Sequence, residues 1–261
     1  MKELFVRTIS GLFLIGLVLL AVFFLSAPFF YAVLSIIILA GAYELFNLLD
    51  VRKWKLLGIF NTLLLLLFLY FEQFAEGIFA LILLTAVVTV LFTRKEDLFD
   101  FKFEIGACVA VPFLLGFTLY HLFLIWEVSR AFLIMLVWII SVADTGAYLV
   151  GRHLGRRKIF PTASPRKTWE GFWAALLTGT LAGFAWWKFF ELKMSLEAVL
   201  FLSLFSTLAA QLSDPFESLF KRAKGVKDSS ALIPEHGGIL DRIDSYILAS
   251  GVFFHLLRLL K

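Results

Sequence analysis

One cysteine, Cys108, stands in the whole chain, so no intramolecular disulfide can form; set in an apolar run, it reads as a small packing residue. Charge is scarce too, with 17% Asp, Glu, Lys and Arg against about 25% in typical soluble domains. A net charge of +4 is too modest to suggest a nucleic-acid partner. The four histidines, His121, His153, His236 and His255, are too scattered for a zinc set. Neither a GxxxxGK[ST] phosphate loop nor a GxGxxG dinucleotide turn occurs. No internal repeat, low-complexity tail or Ser/Gly linker divides the chain.

What is abundant is apolar: 61% of residues are hydrophobic and 17% aromatic. A hydrocarbon layer about 30 Å thick takes roughly 20 apolar helical residues. Nine spans are then predicted, near 9–26, 27–48, 56–71, 77–93, 105–126, 131–150, 171–187, 196–212 and 243–260, in an all-α polytopic membrane bundle. Lys2 and Arg7 precede the first run as in a signal peptide, but no small-x-small cleavage site follows, and Pro28 opens a second run. Residues 9–26 are therefore expected to remain as a span. If the N-terminus is cytoplasmic, 19 of the 24 lysines and arginines fall inside, and Arg130, Lys188, Lys193, Arg258 and Lys261 fall outside with the C-terminus. The expected division is an N-terminal bundle, 1–130, and a catalytic region, 131–261, with cytoplasmic loops 151–170 and 213–242.

Against this apolar background a few polar residues need explaining. Asp144 lies inside the sixth span, roughly 10 Å from its cytoplasmic end by helix rise, and a carboxylate at that depth commonly faces a polar cavity. Asp214, before Pro215, closes the eighth span at the same level, and Asp241 and Asp244 open the ninth at i and i+3, on one helical face. Carboxylates so grouped repel unless cations lie between them, and Mg²⁺ is commonly held by one or two carboxylates together with substrate phosphates. A capping role would account for Asp241 but leaves Asp214 and Asp244 unexplained. In 151–170, Pro161 and Pro165 exclude continuous helix, and Ser164 or Thr168 can cap the span starting near Gly171, whose N–H groups, with Arg166 and Lys167, suit a phosphate. Gly237 and Gly238 allow close backbone approach to a ligand. Glu44 is a second intramembrane acid, either paired with a loop arginine or lining a lipid cleft; neither it nor His121 is assigned a role.

The stretch Ser218-Leu-Phe-Lys221-Arg222, four residues, Lys227-Asp228, and onward through Pro234-Glu-His236-Gly237-Gly238-Ile-Leu-Asp241-Arg242-Ile-Asp244 resembles the signature of the phosphatidate cytidylyltransferases, or CDP-diacylglycerol synthases. Asp144-Thr145-Gly146-Ala147-Tyr148 and Ser164-Pro165-Arg166-Lys167-Thr168-Trp169-Glu170-Gly171 resemble the same family, which often has Lys at the position of Arg166. The likeness covers the C-terminal half in detail and the N-terminal half by hydropathy alone. It implies transfer of a cytidylyl group from CTP to phosphatidic acid, with Mg²⁺, and room for a second cation.

With that resemblance, Asp214, Asp241 and Asp244 are expected as metal ligands, and Asp144 as a supporting acid. Lys221, Arg222, Lys227, Arg166 and Lys167 are expected to hold the triphosphate, with Ser164, Thr168, Glu170, Ser218, Asp228, His236, Gly237, Gly238 and Arg242 completing the substrate site. A phosphate monoester is already anionic near neutral pH, so no strong general base is required. Bilayer lipid is the expected surroundings, a bacterial-type plasma membrane the expected location, and a homodimer is expected from the resemblance alone. A CTP-dependent kinase of a lipid alcohol is the rival enzyme, distinguished by releasing CDP and leaving no cytidine on the lipid. A secondary transporter would use Asp144, Glu44 and Asp244 as an ion path, but the polar residues cluster on one face rather than at midplane. The DG-x-x-A-R pattern of the CDP-alcohol phosphotransferases is absent.

Overall fold

A computed structural model describes residues 16–94, 98–232 and 237–260. The chain is a multi-pass, mostly helical membrane protein. Among the described residues, six helical stretches are long and apolar enough to cross a bilayer: Ala27–Leu48, Phe74–Phe92, Phe101–Val128, Arg130–Leu154, Leu196–Ala223 and Leu240–Leu260. The first expected span is described only over 16–26, of which 16–24 are helical; His236 and the rest of 233–236 lie outside the described residues.

The chain forms two compact units, Met1–Phe123 with Asp228–Ile243, and Leu124–Lys227 with Asp244–Lys261. In the first, α1 (Ala27–Leu48), α2 (Lys55–Tyr70), α3 (Phe74–Phe92) and most of α4 (Phe101–Val128) pack together. Helix α3 buries Gly77, Leu81, Thr85 and Thr89, a stripe of every fourth residue, while Phe79 and Val90 stay 68% and 81% exposed, as lipid-facing side chains would. Asn61 ties three helices by donating to Thr85 Oγ1 at 2.8 Å and to the Cys108 carbonyl at 3.1 Å. Cys108 is buried, as its apolar context suggests. Glu104 accepts backbone N–H groups from Arg52, Lys53 and Trp54, which satisfies the turn before α2. His121 Nδ1 meets the Phe117 and Thr118 carbonyls at 3.0 Å, so Nδ1 carries the proton and the ring is structural.

In the second unit, α5 (Arg130–Leu154), α6 (Trp169–Phe190), α7 (Leu196–Ala223) and α9 (Tyr246–Leu260) form the body, while the four-residue α8 (Leu240–Ile243) belongs to the first unit. Small residues let three helices approach closely. A methyl added at Gly146 of α5 would collide with Thr178 of α6, and one at Gly179 would collide with Thr207 of α7.

Three sequence expectations are corrected. The bundle expected to be all-α holds one pair of strands after α5: β1 (Lys158–Phe160) and β2 (Ser164–Thr168) make an antiparallel hairpin. Pro165 is tolerated because a two-stranded ribbon has an open edge, where a missing donor costs no ladder bond. The eighth span does not close at 212; α7 runs through Pro215 to Ala223, because proline forfeits only the bond to the carbonyl four residues earlier. It ends at Gly225, whose φ of 74° supplies the left-handed stop, with Val226 N–H on the Lys221 carbonyl at 2.9 Å. Lastly, Asp241 and Asp244 do not share a continuous helical face, since 244–245 form a turn. Asp244 accepts the Ser245 N–H at 2.6 Å on its own side chain, a local bond that competes with helix.

Candidate active site

The expected site residues divide between the units. Asp144, Ser164, Arg166, Lys167, Thr168, Glu170, Asp214, Ser218, Lys221, Arg222, Lys227 and Asp244 fall in the second, and Asp228, Gly237, Gly238, Asp241 and Arg242 in the first.

Within the second unit, one face of α7 carries the polar groups. Gln211, Asp214, Ser218 and Lys221 are spaced by three or four residues, so they line one stripe. Gln211 donates to Asp144 Oδ1 at 2.8 Å, which satisfies the acid from α5. Asp214 pairs with Lys167 of β2 at 2.9 Å and takes a long 3.3 Å bond from Ser218 Oγ. Its side chain keeps 30% of its surface open, and that of Lys167 24%. Lys221 meets Glu217 at 2.5 Å with both nearly closed from solvent, an ion pair whose members depend on each other. The Ser213 hydroxyl donates to the Asp244 carbonyl and receives the Leu248 N–H at 3.2 Å, so Asp244 is fastened beside the residue that precedes Asp214.

The hairpin is positioned from both ends. Thr168 caps α6, as its sequence suggests, by accepting the Gly171 N–H at 3.2 Å. Arg222, near the end of α7, donates to the Ala163 carbonyl in the hairpin turn at 3.3 Å. Glu170 accepts the Arg156 and Arg157 N–H groups at 3.0 and 3.4 Å. Its own backbone N–H and that of Arg156, then that of Arg157, hold this carboxyl below its ordinary value. Arg166 and Lys227 are exposed.

In the first unit, Gly237 sits at φ 79°, a region only glycine enters freely, and a methyl there would meet Asp241 Oδ2 at 2.7 Å. A methyl on Gly238 would collide with Ser229 Oγ and Glu44 Oε2. The close approach these glycines allow is thus to the protein's own side chains. Asp241 Oδ2 accepts from the Ser229 N–H and the Gly238 N–H, both at 2.8 Å, and Ser229 Oγ lies 2.8 Å from it. Asp228 and Arg242 are exposed.

Sequence reasoning missed Gln211, Ser213 and Glu217. Their signal was the helical spacing across Pro215, hidden by ending the span at 212. Among the described residues, no three histidine, cysteine or acidic side chains converge on a point where a metal could sit.

A family model described as "Cytidylyltransferase family" matches residues 5–260. A phosphatidate cytidylyltransferase of Bacillus subtilis (strain 168) is 32% identical over 232 residues, covering 84% of this chain and 86% of that protein. One from Haemophilus influenzae is 32% identical over 288 residues, covering 95% and 96%. One from Staphylococcus aureus (strain COL) reaches 43% over 113 residues, 43% of this chain and 42% of that protein.

Proposed function

The chain belongs to the cytidylyltransferase family, and from that premise we propose how its second unit carries the reaction. The activity is transfer of a cytidylyl group from CTP to phosphatidic acid, giving CDP-diacylglycerol and pyrophosphate for phospholipid biosynthesis. A phosphate oxygen of the lipid attacks the α-phosphorus of CTP, the bond to the bridging oxygen of the β-phosphate breaks, and pyrophosphate leaves with that electron pair. The attacking group is already an anion, so the protein's task is to position two anionic substrates and offset their charge.

The observation that carries this reading is the polar stripe of α7 with Lys167 of the hairpin placed on Asp214. Asp144, Asp214, Glu217 and Asp244 outnumber Lys167 and Lys221 along it, an acidic surplus that suits a divalent cation. Asp214 and Asp244 would hold Mg²⁺, which when bound offsets charge on the CTP phosphates. Since no three acids converge among the described residues, phosphates and water would complete its shell, as is usual for this ion. Lys167, leaving Asp214 as substrate enters, holds the triphosphate together with exposed Arg166, Arg222 and Lys227. Lys221, buried on Glu217, fixes the stripe and does not reach for phosphate. Asp241, expected from the sequence as a third ligand, serves in this proposal as an anchor of its own loop.

The finer topology belongs to the same proposal: nine spans, the N-terminus and both basic loops cytoplasmic, the C-terminus outside, in a bacterial inner membrane, with a homodimer as the working assembly. A site on the cytoplasmic side gives soluble CTP direct access while phosphatidic acid presents its headgroup at the interface. Asp214→Asn and Asp244→Asn are expected to cut CTP-dependent turnover by at least about 100-fold, beyond the usual range for outer-shell partners. Wild-type rates in either variant would remove that residue from the site.

A further inference from the structure

We infer that Glu44, a buried acid of α1, is the positioning residue for the loop residues 229–232 and 237–240. The inference rests on the cytidylyltransferase reading, because that loop carries the signature motif. Glu44 is only 3% exposed and its carboxylate is fully engaged. Oε1 accepts from Ser230 Oγ at 2.6 Å and from the Ile239 N–H at 3.1 Å. Oε2 accepts from Ser229 Oγ at 2.8 Å and from the Leu240 N–H at 2.8 Å.

Each oxygen therefore takes one donor from the start of the loop and one from its end. A single side chain joins the two described stretches like a clasp, through hydrogen bonds to a carboxylate, the stronger kind. Ser229 links the clasp to the motif itself, since its hydroxyl also faces Asp241 Oδ2 at 2.8 Å. Gly238 must be glycine because a methyl there would occupy the space of Ser229 Oγ and Glu44 Oε2. Glu44 does not touch reacting atoms in this account; it sets where Asp241 and the backbone around Gly238 lie.

Glutamine at position 44 turns one acceptor oxygen into an NH₂ group facing donors, so Glu44→Gln opposes the clasp with little change of volume. Hydrogen exchange of the detergent-solubilised enzyme, without nucleotide, is measured beside steady-state kinetics with CTP and phosphatidic acid. Glu44→Gln is expected to speed exchange within 229–232 and 237–240 while leaving that of α5 to α7 unchanged, and to lower kcat on the order of 10- to 100-fold. Glu44→Asp, which keeps the charge, should recover part of the rate. Ser230→Ala removes one donor and keeps the acid; it should produce a smaller change of the same kind and serves if Glu44→Gln does not fold. Unchanged loop exchange in both variants, faster exchange spread across all helices, or kcat within twofold of wild type would overturn the inference. A wild-type enzyme that fails to use CTP would instead overturn the reading beneath it, whatever the exchange result.

Discussion

Lys221 is the expected site residue whose surroundings differ most from those its sequence context suggests. As a signature cation Lys221 was expected on phosphate, yet its ammonium is buried on Glu217 at 2.5 Å. Breaking such a pair from one side leaves an uncompensated buried charge, which typically costs about 3–5 kcal/mol. Lys221→Met is accordingly expected to lower the thermal midpoint sharply, and Lys221→Met with Glu217→Gln to restore much of it; chemical denaturation in detergent would check this. Equal losses in the single and double variants would contradict the pairing. Glu44 is the converse case. It was visible as an acid in an apolar span, but its partner Ser229 lies 185 residues away. No local pattern encodes a contact at that separation, so neither of its two expected settings, a loop arginine or a lipid cleft, was the one found. Asp144 was placed by the cost of burying charge, and Gln211 is the satisfied partner that such burial requires.

Elements were legible where length and apolarity alone decide them. Helix α1 occupies 27–48 as expected, and α5 and α6 begin one and two residues before their expected spans, directly after Ser129 and Thr168, which cap them by side chain. Pro215 misled, since a proline inside a long helix removes one bond rather than the helix. The hairpin was illegible for the opposite reason: strands of three and five residues, with Pro161 in the turn between them and Pro165 inside β2, carry too little pattern. Close helix contact gives a further test. Gly179→Val in α6 would press on Thr207 and should cost about 1–3 kcal/mol, the usual penalty of overpacking. Val in place of Gly106, which has open space about it, should cost much less. At the hairpin, Glu170 is held below its ordinary value by backbone N–H bonds. A depressed carboxyl contributes stability above its unfolded value and loses it as pH falls toward the folded one. Amide exchange at Arg156 and Arg157 should therefore rise below the usual carboxylate range in wild type, and Glu170→Gln should flatten that acid dependence.

Across the whole molecule, the two halves of the chain interleave: Asp228–Ile243 folds with the N-terminal helices and Asp244–Lys261 with the C-terminal ones. Composition has no means of registering such an exchange, because it carries no information on which distant helices a segment packs against. The basic-residue partition, by contrast, is a whole-chain property and predicts that cysteines introduced at Arg166 and Lys227 in a Cys108→Ala background react with impermeant maleimide only from the cytoplasmic side. Labelling from outside the cell would reverse the orientation. The central claim is more direct still. Purified protein, phosphatidic acid and CTP labelled in its cytidine ring are incubated with and without Mg²⁺, and the phases are separated. The account predicts label in the lipid phase as CDP-diacylglycerol, dependent on Mg²⁺ and lost in Asp214→Asn; label retained in the aqueous phase as CDP, with none on lipid, would contradict it.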